Sequence, residues 1–259
     1  MRNRIYKYLI LLNTFFILAS CHSGYEEKEG KIYLKWIHGG DFTKEWTLIK
    51  DADAKSFETI DHNVKLKLGK DKNHVFYRAR KIKDADPKTF VQVAYYFWKD
   101  ENNVYNFNHG LQNYIVKFAD PENFEVLDIN VWGKDKNSIF HKSSKSQVID
   151  IESFTPINEN WGKDNQYYYW QTKKLDSLDY ESAEIVKTYF RDKKGKYSYY
   201  IKDKNNVYFK NQIVNGVNPK SFVANGVGSF GNDGVNRFSW EENKGPITDK
   251  FKQTYYIKE

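Results

Sequence analysis

The sequence predicts an all-β chain, mostly strands joined by short helical turns, in which tandem antiparallel β-hairpins build a curved, solenoid-like meander. Three observations predict it. One turn pattern recurs six times, a second alternates with it at nearly fixed spacing, and no stretch after residue 20 holds a sustained helical period.

The first pattern is anchored on an Asp and reads LGKDKNHVFY at Asp71, FWKDENNVYNF at Asp100, WGKDKNSIF at Asp135, WGKDNQYYYW at Asp164, YIKDKNNVYF at Asp203 and FGNDGVNRF at Asp233. Three residues before each Asp stands a large apolar residue: Leu68, Phe97, Trp132, Trp161, Tyr200 or Phe230. Five after it stands an aromatic: Phe76, Tyr105, Phe140, Tyr169, Tyr208 or Phe238. Polar turn formers lie between, flanked by Val, Ile and aromatics, which is the composition of a β-hairpin. Asn103, Ser138 and Asn206 hold the slot where a three-residue hairpin loop takes positive φ.

The second pattern is DADAKSF ending at Phe57, DADPKTF at Phe90, ADPENF at Phe124, DIESF at Phe154, DYESA at Ala183 and VNPKSF at Phe222. Asp or Asn caps a helical turn, Pro is preorganised for its first position, and the aromatic is read as a buried anchor. From turn Asp to the next anchor the distance is 19 residues at Asp71, Asp135, Asp164 and Asp203, and 24 at Asp100. Each unit is therefore read as a hairpin, a connection, a capped turn and a strand leading onward. A propeller blade takes four strands in about 40 to 45 residues. Units of 29 to 39 residues supplying two or three strands point to a meander instead. Between Thr188 and Lys210 two turn signals, Asp192 and Asp203, imply an extra hairpin. Its alternation puts Tyr197, Tyr199 and Ile201 on one face and Ser198, Tyr200 and Lys202 on a more polar one. IVKTYF after Glu184 suits a short helix or a strand.

The amino terminus reads as a targeting device. Arg2, Arg4 and Lys7 precede an apolar run from Leu9 to Ala19, whose 11 residues are too few to span a bilayer. LASC, Leu18 to Cys21, resembles the bacterial lipobox, which implies cleavage after Ser20 and a lipid on Cys21. The domains expected are a signal peptide over 1–20, a polar tether over 21–30 carrying Glu26, Glu27 and Glu29, and one repeat domain over 31–259. His22 follows the Cys where the inner-membrane retention signal of such lipoproteins has Asp, so in a host with two membranes the resemblance implies the outer one. Cys21 is the only cysteine, which excludes disulfides within the chain and multi-thiolate metal sites.

Without the signal the chain keeps 38 Lys and Arg against 34 Asp and Glu, a formal charge of +4. Lys and Asp alternate through the turns and form no basic face, which argues against nucleic acid. The KDKN-x-VYY turn alternating with ADP-x-SF resembles the DKNYY family of bacterial exported repeat proteins over about Asp51 to Phe238. The resemblance implies architecture and export, and little about activity.

No catalytic constellation emerges. GVGSFG, Gly226 to Gly231, has the spacing of a dinucleotide loop, but a further turn, not a helix, follows it. The DKN turns lack the Gly and Glu of a calcium loop, the six His are scattered, and no Gly-x-Ser-x-Gly is present, so no metal, cofactor or catalytic residue is expected. The structural assignments are turns at Asp71, Asp100, Asp135, Asp164 and Asp203, anchors at Phe57, Phe90, Phe124, Phe154 and Phe222, and lipidation at Cys21. With 20 Tyr, 18 Phe and 7 Trp the rings are expected mainly in the core. Clusters outside the repeat phase, Trp36 with Trp46 or Tyr168 with Trp170, are freer to face solvent. The expected function is a non-enzymatic lipoprotein, anchored in the bacterial envelope through Cys21, whose β surface binds protein or glycan. A hydrolase with an unrecognised site and a purely structural envelope component are the alternatives.

Overall fold

The computed structural model describes residues 23–61, 66–108, 114–190 and 193–255. The segment expected to be a signal peptide, Cys21 and Asp192 lie outside the described residues. The chain divides into two compact units, one of residues up to 91 with 100–102, the other of 92–99 with 103 onward. As expected, it is nearly all β and built of consecutive antiparallel hairpins.

The first unit holds β1 (Gly24–Lys28), β2 (Lys31–Ile37) and β3 (Lys44–Leu48) in one antiparallel sheet. A second contains β4 (Glu58–Thr59), β5 (Leu68–Lys70), β6 (Val75–Tyr77) and β7 (Arg80–Lys81). A three-stranded sheet follows, β8 (Val91–Ala94), β9 (Phe97–Lys99) and β10 (Val104–Asn106). Two four-stranded meanders come next. One is β11 (Glu125–Val126), β12 (Trp132–Asp135), β13 (Ser138–His141) and β14 (Ser144–Lys145). The other is β15 (Thr155–Pro156), β16 (Trp161–Lys163), β17 (Tyr168–Trp170) and β18 (Lys173–Lys174).

The last eight strands share a sheet: β19 (Glu184–Phe190), β20 (Lys193–Lys202), β21 (Val207–Phe209), β22 (Gln212–Ile213), β23 (Val223–Asn225), β24 (Phe230–Asn232), β25 (Asn236–Ser239) and β26 (Glu242–Pro246). Two meanders meet there by parallel pairing of β19 with β23. One short helix, α1 (Asp249–Tyr255), follows. A regular unit thus supplies four short strands, not the two or three expected, because the two-residue outer strands are too short to leave a period in the sequence.

The repeated Asp is a buried clamp. All six side chains lie in residues at most 7% exposed. In every copy Oδ1 accepts the N–H two residues on, from Asn73, Asn102, Asn137, Gln166, Asn205 and Val235. In every copy Oδ2 accepts the N–H of the second pattern's Asp or Asn four residues before the anchor position: Asp53, Asp86, Asp120, Asp150, Asp179 and Asn218. Each turn Asp is therefore tied to the capped turn that precedes it in sequence. The unit begins at the capped turn, and the 19-residue spacing measures the step between units. The cap's hydroxyl closes the joint from the other side, Ser56, Thr89, Ser153 and Ser182 accepting from Lys72, Glu101, Asn165 and Lys204 N–H.

Asn103, Ser138 and Asn206 do not take positive φ, because the Asp carboxylate already satisfies the loop's N–H groups in a right-handed turn. Positive φ falls instead two residues past the aromatic, at Arg78, Lys142, Gln171, Lys210 and Trp240, where the chain reverses into the outer strand. Both hairpins that depart from the pattern, at Asp164 and Asp233, form with the same bonds.

The anchors Phe124, Phe154 and Phe222 are buried and bridge neighbouring copies. Phe124 lies 5.3 Å from Phe97 and 5.9 Å from Phe140, Phe154 lies 5.2 Å from Trp132 and 6.1 Å from Tyr169, and Phe222 lies 4.9 Å from Tyr200 and 5.9 Å from Phe238. Phe90 is buried and Phe57 half-buried. Phe57 has Tyr25 at 5.0 Å and Phe76 at 5.7 Å. Tyr25 thus fills the place of an earlier copy's large residue. Its hydroxyl donates to Lys67 and Arg78 carbonyls, as Tyr200 does to Ser229 and Trp240. From Gly24 the expected tether is therefore strand, turned by Glu29 and Gly30, both at positive φ. The acidic residues that suggested a tether occupy a two-sided hairpin whose ring is its attachment.

The anchor ring is seated on a glycine. A Cβ at Gly69, Gly133, Gly162 or Gly231 would come within 2.3–2.5 Å of the Cζ of Phe57, Phe124, Phe154 or Phe222. Where the anchor is Ala183 the glycine's place is taken by Ile201, and the two share a cluster, so volume is exchanged across the joint. Tyr200 is wholly buried, contrary to the polar face expected for it. Ser198 is buried beside it because its hydroxyl donates to Val186 O, so polarity there does not mean exposure.

Two predictions follow from the joint. Asp203→Ala strands three backbone donors, Asn205, Asn206 and Asp179, at about 1–3 kcal/mol per buried unpaired group. Urea unfolding should lose at least about 2 kcal/mol, and an unchanged midpoint refutes the clamp. Gly133→Ala should cost about 1–3 kcal/mol, with part of the loss recovered in combination with Phe124→Leu.

Titration supplies a third. At Asp164 burial raises the carboxyl, but the Tyr169 hydroxyl and three N–H groups outweigh it and hold it below the usual range. That contribution is complete above the unfolded carboxylate pKa of about 3.9 and is lost as pH falls through the lower folded value. Burial first, then the Asp203 charge, pushes Tyr208 up to about 12. Its contribution is complete below the ordinary tyrosine pKa of about 10 and is lost as pH rises from there to about 12. Urea midpoints against pH should show this alkaline limb, and Tyr208→Phe should shrink it.

Candidate ligand-binding cleft

Within the second unit, one cap-to-turn segment is out of length. The cap-to-turn distance is 14 to 18 residues in the other copies, but 24 from Asp179 to Asp203. The added residues lengthen β19 and β20 into a hairpin of 7 and 10 residues. Register shifts on either side of Lys187 twist it. Beside it opens a cleft of about 610 Å³, whose lining includes Ile129, Asn158, Glu159, Trp161, Lys187 and Tyr197.

One wall is the loop 157–161, held from every side. Asn158 Oδ1 accepts from the N–H groups of Asn160 and Trp161 at 2.8 and 2.9 Å. The Trp132 indole donates to Asn158 O at 2.8 Å, and His141 Nε2, placed as the donor, reaches Glu159 O at 2.8 Å. Gln171 Nε2 donates to Asn160 Oδ1 at 2.9 Å. The Trp161 indole spans to the opposite wall, donating to Ser198 O at 3.0 Å. With its backbone so fixed, the loop leaves the Glu159 carboxylate exposed.

The other wall carries Lys187 and Tyr197, the ammonium 5.2 Å from the ring centroid. Tyr197 is 42% and Tyr199 37% exposed, on the same face of β20. Beneath Tyr199 lies Trp170 at 5.4 Å, and Tyr168, on the same side of β17 as Trp170, lies 5.4 Å from Tyr180. Two ring pairs thus lie on the strands that carry or adjoin the cleft's second wall. Burial raises the Tyr168 hydroxyl pKa, with Tyr180 and Tyr197 adding to it. Burial also raises Tyr96, with the hydroxyl of Tyr95 and the Glu159 charge contributing, which sets a second pair of rings near the acid. Tyr95 and Tyr96 meet edge to face at 4.5 Å. Aromatic faces beside amide, carboxylate and ammonium groups suit a ligand with both apolar and hydrogen-bonding surface.

Of the residues expected as structural, the turn aspartates stand in the joints within copies and the anchors in the joints between them, not in the cleft. The expected cluster of Trp36 and Trp46 is not a patch: β2 and β3 pair Trp36 with Glu45 and Lys35 with Trp46, so the indoles face opposite ways. Trp170 is buried and Tyr168 half-buried. Gly226 to Gly231 form the turn into β24, with Gly226 and Gly228 at positive φ. Among the described residues no group of three His, Cys, Asp or Glu is placed to hold a metal ion. Sequence reasoning missed Glu159, Lys187 and Tyr197 as partners in one site. The signal that marks them is the excess of the 39-residue spacing from Asp164 to Asp203 over the 29 residues before it.

The sequence model of the DKNYY family matches residues 25–199. No curated protein and no solved structure matches the chain.

Proposed function

The chain belongs to the DKNYY family, and we propose that it is an exported, lipid-anchored binding protein of the bacterial envelope whose cleft takes a glycan. The observation that carries this reading is the joining of Tyr197, Lys187, Asn158, Asn160 and Glu159 in one half-open cleft on a braced backbone. A sugar ring offers an apolar face to an aromatic and hydroxyls to amides and charges, and a rigid site loses little entropy on binding. A hydrolase is supported less. Glu159 is the one acid among the described lining residues, whereas glycoside hydrolysis ordinarily uses two carboxylates. The Ser198 hydroxyl is engaged by Val186 O and Tyr200 N–H. Export and the anchor rest on the basic residues Arg2, Arg4 and Lys7 and the apolar run that leads into LASC.

Calorimetric titration with envelope glycans, and with peptides as the competing class, tests the cleft. Saturable glycan binding should weaken about tenfold in Tyr197→Ala, which removes a solvent-facing ring and leaves the core intact. Peptide binding alone moves the ligand class, and the absence of any saturable binding favours a structural component. For the anchor, Cys21→Ser should lose the lipid mass and leave the membrane fraction; if neither changes, the lipoprotein reading fails.

A further inference from the structure

The first sheet places the anchor's end of the chain beside an exposed aromatic. β1 starts at Gly24, paired with Lys35, and runs away from the β2–β3 tip toward its own turn at Glu29 and Gly30. Ser23 Oγ accepts the Ile37 N–H at 3.0 Å, and the connecting loop of residues 38–43 begins one residue later. Two residues span at most about 7 Å. Cys21 is therefore tethered at the same end of the sheet as that loop.

The loop presents Phe42 at its apex, 77% exposed and at a φ of 59°. A bulky side chain in the left-handed region is uncommon, and here it is combined with exposure of a whole ring to water. The conformation is held by Phe42 N–H to His38 O at 2.9 Å and His38 N–H to Thr43 O at 3.0 Å. The polar groups of the tip satisfy one another: Asp41 Oδ1 accepts from the N–H and hydroxyl of Thr43, and His38 lies 3.4 Å from Glu45. That pairing lowers the cost of moving the tip out of water and leaves Phe42 as its uncommitted surface.

We propose that this tip is a membrane-contact loop, with Phe42 seated in the interfacial region of the bilayer that holds the lipid of Cys21. The proposal rests on the lipid-anchor reading. An interfacial region is about 5–7 Å deep on each side of the hydrocarbon, comparable with the two-residue reach from Ser23 to Cys21, so an acyl chain inserted there brings the tip to the surface. The ring orients the first unit on the membrane, while the lipid supplies the affinity.

The test uses the full lipidated chain in phosphatidylethanolamine and phosphatidylglycerol vesicles. Acylation consumes the only native thiol, so Phe42→Cys and, as a control, Leu48→Cys, 41% exposed at the other end of β3, each take one environment-sensitive thiol dye. The dye at 42 should show a blue-shifted, several-fold brighter emission that brominated lipids quench, and the dye at 48 should not. If the mass shows the lipid on Cys21 and both dyes report water, the contact is refuted while the anchor stands. Absence of the lipid mass overturns the anchor reading and the proposal together. Shielding at 42 that rises with the ratio of protein to lipid marks contact with a second copy and also refutes the proposal. Circular dichroism of both variants checks that the fold is kept.

Discussion

A carboxylate taken out of water must find donors, and this fold places that requirement at every joint. One oxygen of the repeated Asp organises the hairpin that contains it, and the other reaches the capped turn that opens the same unit. A single side chain therefore sets loop conformation and the docking of two segments 14 to 24 residues apart. Without it, strands of two to four residues would have little to hold their register. The rings then complete the step to the next copy, each anchor touching the large residue of one unit and the aromatic of its own. The polar joint works within a unit and the aromatic joint works between units.

That division explains what the sequence made legible. The Asp and ring positions recur because each is fixed by a backbone geometry that no other residue type meets equally well, so the all-β hairpin architecture could be read directly. The pairing of partners could not. A 19-residue spacing is the same whether a turn is bonded forward or backward, and only the N–H donated by Asp179 to Asp203, or by Asp53 to Asp71, decides it. The strand at Gly24 was hidden for a related reason: Tyr25 does the work of a repeat position without the Asp that marks one. Tyr200 was misplaced because alternation was judged by polarity, whereas its hydroxyl and that of Ser198 are both satisfied by carbonyls inside the core.

The glycine under the anchor is a sequence signal that the repeat contains and that packing alone makes intelligible. Leu68, Trp132, Trp161 and Phe230 are each followed by glycine, and the ring above each leaves no room for a Cβ. In the copy with Ala183 the large residue lies below instead of above, in Ile201. Such an exchange makes the anchor and the glycine one position in packing terms, although 8 to 18 residues separate them. Ile201 thereby fills space beside Ala183 that a ring at 183 would occupy.

The cleft lies where the period fails because the regular joints leave nothing free to act. In a repeating unit the carboxylate and the ring are buried and paired, and the outer strands are too short to enclose space. Lengthening one cap-to-turn segment by 6 to 10 residues changes this. It carries Lys187 and Tyr197 beyond the core, while Trp132 and His141 of an ordinary copy brace the loop they face. Rigidity of the opposing loop thus comes from the repeat, and the exposed chemistry comes from its interruption. A chain built this way can vary what it binds by altering one extension without disturbing the clamps that hold it, so specificity is expected to reside in the hairpin between Glu184 and Lys202 and not in the DKN turns themselves.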